Sequence, residues 1–232
     1  ECAVQMYKNS LILRICMTEK PFVHKQAFND VEMNFMFHDC KKFNSDLSKW
    51  VTKKVITTKN MFKGCYLFNS DLSKWETQRV TTLASMFQHA WVFNSNISEW
   101  NISNVESLFQ TFNYAMAFNS DLSKWQTAQV ITMEGTFYKA DKFNSDITKW
   151  DVTKVLNMNL MFQDAVAFDK TWCNPIWDGK ITAGDFTNSK GMMKCCSAGQ
   201  FNQPQATSPY IVCTECSAGQ FTSELNADLS CK

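Results

Sequence analysis

The 232-residue chain is 45% apolar and 14% aromatic, enough for one substantial core with a small appendage, and its 23 basic and 22 acidic side chains leave a net charge of +1. With no basic block able to neutralise a run of phosphates, nucleic acid is not an expected partner. No apolar run approaches the ~18 residues of a membrane span, and ten cysteines, six of them after residue 172, point to an oxidising, extracellular compartment.

The chain opens at Glu1-Cys2-Ala3 without an initiator Met, which reads as a mature, processed polypeptide or as the ordered part of a longer one. Residues 1–30 follow no repeat and carry Cys2 and Cys16 with an apolar stretch from Leu11 to Cys16. They are expected to form an N-terminal cap, since an end coil would otherwise expose its apolar face and strand edge. Met33, Met36, Phe37 and Cys40 then begin the repeat pattern.

From Phe43 one phrase recurs at a constant interval: FNSDLSKW at 43–50, 68–75 and 118–125, FNSNISEW at 93–100 and FNSDITKW at 143–150. Val55, Val80, Val105, Val130 and Val155 form a second column, and Phe62, Phe87, Phe112, Phe137 and Phe162 a third. An uninterrupted period of this length predicts a solenoid in which each repeat makes one coil. Leu83, Met86, Phe87 and Ala90 stand at i, i+3, i+4 and i+7, and Met158, Met161, Phe162 and Ala165 do the same, which predicts a short helix in the second half of each coil. Thr57, Thr82, Ser107, Thr132 and Asn157 precede those segments as expected N-caps.

The first half of each coil predicts a turn at Asn44-Ser45-Asp46 and its equivalents, whose side chains can bond the local backbone or the same turn in the next coil as a ladder. Position 52 is β-branched in every copy while 51 and 53 vary, an alternation that predicts a short parallel strand at about 49–53 with one face buried. The variable outward positions, Glu76, Gln78, Asn101, Gln126 and Asp151, are the candidate binding face. The Trp50, Trp75, Trp100, Trp125 and Trp150 column is expected in the core rather than on the surface as a sugar platform.

Candidate chemistry is sparse. No nucleophile is paired with a base, no carboxylate pair stands alone, no phosphate loop occurs, and His24, His38 and His89 share no column, so no catalytic, cofactor or metal site is expected. The Asp46, Asp71, Asp121 and Asp146 column invites calcium, but Lys49, Lys74, Lys124 and Lys149 three residues later can balance it. Cys213 and Cys216 have the spacing of half a zinc or redox pair, with no second pair to complete it. Cys40 and Cys65 share a column that later holds Ala, as two buried thiols or as an inter-coil disulfide. The sequons at Asn96 and Asn101 are candidate glycosylation sites.

The Phe-Asn-x-Asp-Ile-Ser-x-Trp and Met-Phe-x-x-Ala signatures, over 43–168, resemble the bacterial surface-protein repeats related to BspA-like leucine-rich repeats. That resemblance implies an α/β fold, a right-handed leucine-rich-repeat-like solenoid with parallel strands on one side and helices on the other, and a place on a cell surface or outside the cell. It supplies no catalytic residues.

The pattern stops at Phe168, and Trp172, Cys173 and Pro175 begin what reads as a C-terminal cap and linker over 169–190, closing a solenoid that spans 31–168. Within 191–232, CSAGQF at 196–201 and again at 216–221 resembles ephrin-receptor-like cysteine-rich repeats, small disulfide-held modules. By that resemblance Cys196 pairs with Cys213 and Cys216 with Cys231, leaving Cys195 for Cys173, and the end at Cys231-Lys232 suggests that more such repeats follow. The function expected is a non-enzymatic, secreted or cell-surface protein that binds a protein or glycan. The alternative is a structural subunit of an extracellular fibre, sheath or flagellar hair, self-assembled through regular columns.

Overall fold

The computed structural model describes residues 31–169, Trp177, and two strands further along the chain. Over 31–169 the chain lays down coils of equal length, numbered 1 to 5 as residues 41–65, 66–90, 91–115, 116–140 and 141–165. Each coil hydrogen-bonds to the next. Strand β1 (Val31–Glu32) pairs in parallel with β2 (Val55–Thr57), and the same line continues as single parallel bridges between Thr82 and Ser107, Ser107 and Thr132, and Thr132 and Asn157.

This pairing line lies later in the coil than the strand expected at 49–53. There the backbone turns twice instead: the Trp50 N–H donates to the Leu47 carbonyl at 3.1 Å, and the Val55 N–H to that of Thr52 at 2.8 Å. The burial alternation survives the change. Thr52, Thr77, Ile102, Thr127 and Val152 are buried, while Val51, Glu76, Asn101, Gln126 and Asp151 are exposed.

The helices expected in the second half of each coil do not form; residues 31–169 contain none. Consecutive tight turns replace them. In coil 2 the Met86 N–H donates to the Leu83 carbonyl at 3.0 Å and the Ala90 N–H to that of Phe87 at 2.9 Å. Ser85 (φ 53) and His89 (φ 58) take the left-handed third position of each turn, the signature of type II. The intervening donors leave the coil: the N–H groups of Ser85, Phe87 and His89 reach the carbonyls of Phe109, Thr111 and Asn113 in coil 3 at 2.8, 3.0 and 2.8 Å. A helix would spend nearly every N–H within its own segment, whereas here half shape the coil and half join it to its neighbour. The expected N-cap residues accept bonds of the kind foreseen but to a different end, since Thr82 Oγ1 takes the Ala84 N–H at 3.1 Å and Asn157 Oδ1 that of Asn159 at 2.9 Å, closing turns.

Side chains repeat the logic in three ladders. The Asn44, Asn69, Asn94 and Asn119 Oδ1 atoms each accept the backbone N–H of the equivalent asparagine in the next coil, all at 2.8 Å. Ser70, Ser95, Ser120 and Ser145 hydroxyls accept from Leu47, Leu72, Ile97 and Leu122 in the preceding coil. The indole N–H groups of Trp75, Trp100, Trp125 and Trp150 donate to the carbonyls of Leu47, Leu72, Ile97 and Leu122 at 3.0 to 3.2 Å. These four tryptophans are in the core, as the sequence leads one to expect.

The core is a continuous aromatic column. Phe62, Phe87, Phe112 and Phe137 stack on one another at 5.7 Å between ring centroids. Each also lies against the phenylalanine that opens the next coil, as Phe87 does on Phe93 at 3.8 Å. Such offset stacks add to area burial and fix the coil spacing. Trp177 is buried with this core. Strands β3 (Gln200–Pro204) and β4 (Ile211–Glu215) pair antiparallel, with Asn202 opposite Cys213. The cap expected over 1–30 lies outside the described residues, as does most of 169–190.

Candidate functional site: the outward turn face

Turns at 47–50 and 52–55 and their equivalents set the candidate binding face. Because positions 50 and 52 are drawn inward, position 51 between them points out in all five coils. The backbone beneath is held from coil to coil: the Glu76 N–H donates to Thr52 Oγ1 at 2.7 Å, and the Thr77 and Thr127 hydroxyls donate to the Asn101 and Asp151 carbonyls at 3.0 and 2.9 Å. The side chains on top are therefore free to differ while their anchorage is fixed.

Between coils 3 and 4 this face carries a shallow, open depression lined by Ser98, Glu99, Trp100, Asn101, Ile102, Lys124 and Gln126. Of the candidate face residues, Asn101 and Gln126 line it. Glu76 lies on coil 2, where Gln78 donates to it at 3.4 Å, and Asp151 lies on coil 5, turned onto the Thr153 N–H at 2.9 Å. The depression also has a charge pair that the sequence reading passed over, Glu99 with the Lys124 that holds the same column in the next coil. Their direct hydrogen bond, with the Coulomb attraction behind it, lowers the Glu99 pKa and raises that of Lys124. The signal was present: coil 3 alone replaces the column's lysine by glutamate, directly beneath Lys124. An acceptor, a cation and two amides around a shallow opening can hydrogen-bond a polar ligand.

Both sequon asparagines are exposed. Asn96 Oδ1 accepts the Ser98 N–H at 3.0 Å, and Asn101 Oδ1 accepts the N–H and hydroxyl of Ser103 at 3.0 and 2.7 Å.

The aspartates of the column are exposed and bond their own local backbone. Asp46, Asp71 and Asp121 each accept the N–H of the serine two residues on at 2.8 Å. These bonds, from the Ser73 and Ser123 amides first and hydroxyls second, lower the Asp71 and Asp121 pKa values. Among the described residues no group of three or more His, Cys, Asp or Glu side chains could hold a metal ion. His38 pairs with Asp39 at 3.1 Å, and His89 stacks on Tyr114 at 4.5 Å; His24 lies outside the described residues.

The Cys40–Cys65 bridge does not form. Cys40 is disulfide-bonded, but Cys65 is a free thiol, fully buried, donating its S–H to the Phe37 carbonyl at 2.9 Å. Burial pushes its pKa far up. Cys213 lies on β4; Cys2, Cys16, Cys173, Cys195, Cys196, Cys216 and Cys231 lie outside the described residues. Among the described residues no helix is long and apolar enough to cross a membrane.

Comparison with characterised proteins and with solved structures found no significant match. A family model does match, over residues 25–97 and 81–207, which together span most of the chain. It describes a family of the BspA-like repeat kind, in agreement with the resemblance read from the repeated phrase. The chain belongs to the family described as Mycoplasma protein of unknown function, DUF285.

Proposed function

We propose that this is a non-enzymatic recognition protein of the extracellular space or cell surface, binding a protein or glycan through the outward turn face of a leucine-rich-repeat-like solenoid. The observation that carries the reading is the division of labour within each coil. Positions 50 and 52 and the Asn, Ser and Trp ladders are kept for stacking, while position 51 reads Val, Glu, Asn, Gln and Asp in turn and is exposed in every coil. Variation on a face whose anchorage is fixed is what a stacked repeat offers a partner. The depression at Glu99, Asn101, Lys124 and Gln126 is the natural centre, because it combines both charges with two amides. A polar set of this kind suits hydroxyl and amide groups better than a flat apolar partner.

The extracellular setting rests on the cysteine content and the two sequons, and an ephrin-receptor-like module over 191–232 belongs to the same proposal. The test is capture on immobilised glycan and extracellular-protein arrays, comparing wild type with Asn101→Arg/Gln126→Arg. Specific capture by the wild type, lost in the variant at unchanged melting temperature, supports the reading; capture that survives the change refutes it. Assembly into a fibre is the second reading, favoured by identical columns that recur from coil to coil. Light scattering that shows a monomer at high concentration in native salt would end it.

A further inference from the structure

We infer that the corner of the stack formed by Tyr66, Leu67, Trp91, Val92 and Met116 is a docking edge for an anionic lipid surface. Each coil turns this corner through a tight turn: the N–H groups of Phe68, Phe93 and Phe118 donate to the Cys65, Ala90 and Ala115 carbonyls at 3.1, 3.1 and 3.0 Å. The two residues at the tip of such a turn are normally polar. Two of the protein's other turn columns obey this, with Ser73-Lys74 and Ser123-Lys124 at one and Gln78-Arg79 and Ser103-Asn104 at another. This corner instead carries Tyr-Leu in coil 2, Trp-Val in coil 3 and Met-Ala in coil 4. Leu67 is 51% exposed, Val92 41%, Trp91 40% and Met116 37%, and none of them belongs to the buried core.

The tips are convex, so they suit insertion into a soft phase better than the cradling of a rigid one. Tyr66 and Trp91 lie parallel at 4.0 Å, a stacked aromatic pair with polar tips, the type of side chain that settles at the bilayer interface. Charge points the same way. The same corner in coil 1 is Lys41-Lys42, with the Lys41 ammonium 5.6 Å from the Tyr66 ring. Coil 1 as a whole holds seven lysines against the single carboxylate of Asp46. In coil 5 the corner is Asp141-Lys142, so the basic character is concentrated at one end. Apolar insertion plus a lysine cluster is the two-signal combination that gives stable peripheral attachment to anionic leaflets.

The test is cosedimentation of the full chain with vesicles of phosphatidylcholine alone or mixed with phosphatidylserine. The mixed vesicles should bind it, with affinity falling as salt rises. Leu67→Ser/Trp91→Ser should weaken binding about tenfold or more, and Lys41→Gln/Lys42→Gln roughly tenfold. These side chains are exposed, so circular dichroism should show both variants folded. Equal binding by wild type and both variants, or no binding to either vesicle, overturns the proposal. So does concentration-dependent self-association that the corner variant abolishes while vesicles stay unbound, which would make the edge a contact between copies of this chain.

Discussion

The indole N–H of Trp100 donates to the carbonyl of Leu72, in the preceding coil, at 3.0 Å. One coil thus satisfies the buried polar atom of the next, and a tryptophan can lie in the core without an orphaned donor. Trp50, at the start of the column, differs: its buried Nε1 has no acceptor among the described residues. Replacing Trp100 by Phe removes this bond while the Leu72 carbonyl keeps the Trp75 N–H at 3.1 Å, at a cost of about 1 kcal/mol. Trp50→Phe should cost less. Denaturant midpoints of the two variants measure the difference.

Gly64 and Gly135 occupy the left-handed positions that other residues hold with strain. Gly64 has φ 73, and a Cβ there would collide with Asp39 Oδ1 and lie 3.2 Å from the Asp39 Cα. Gly135 has φ 58 with its nearest neighbours, the side chains of Asn113 and Gln110, at 3.4 Å. Gly135→Ala should therefore cost only the backbone term, ~1 kcal/mol, and Gly64→Ala distinctly more, because backbone must move. The reverse change, Gln110→Gly at φ 52, relieves the backbone but removes the acceptor of the buried Gln88 Nε2 at 2.9 Å, so it should destabilise by about 1 kcal/mol. Thermal unfolding orders the three.

Acid should loosen the turns of the aspartate column. Asp71 and Asp121 have pKa values lowered by their bonds from Ser73 and Ser123. A depressed folded-state pKa contributes stability that is present above the ordinary carboxylate value of about 4 and is lost as pH falls through the folded value. The melting temperature should be insensitive to these groups near neutrality and fall below that range. Asn96 makes the same bond to the Ser98 N–H at 3.0 Å without titrating, so Asp121→Asn should keep the turn and reduce the acid sensitivity. The contribution is small, because these carboxylates face solvent.

Cys65 should be chemically silent in the native protein. Its thiol is buried, hydrogen-bonded to Phe37 and held protonated by desolvation. Alkylation under native conditions should leave it unlabelled, and denaturation without reductant should expose one reactive thiol at this position. Non-reducing peptide mapping should find Cys40, but not Cys65, in a cross-link.

The repeat, its core columns and its exposed face were all legible in the sequence, since a constant period with fixed Phe, Trp and Asn requires those side chains to meet in neighbouring coils. The conformation of the second half of the coil was not. Leu83, Met86, Phe87 and Ala90 face inward either in a helix or in two successive tight turns, because both advance the chain by three to four residues per return to the core. Gly64 and Gly135, at the positions where φ is positive, were the clue to turns. The Glu99–Lys124 pair was not legible in the same way, because Glu99, like Asn96, is a residue in which coil 3 departs from the phrase that the other four coils share.

The most direct test of the recognition face is hydroxyl-radical footprinting of the full chain with and without a ligand captured on the arrays. Protection should centre on Ser98 to Ile102 and Lys124 to Gln126 and fade toward coils 1 and 5. Protection confined to the Tyr66–Trp91 corner, or spread evenly over all coils, would contradict the assignment of the outward turn face as the binding surface.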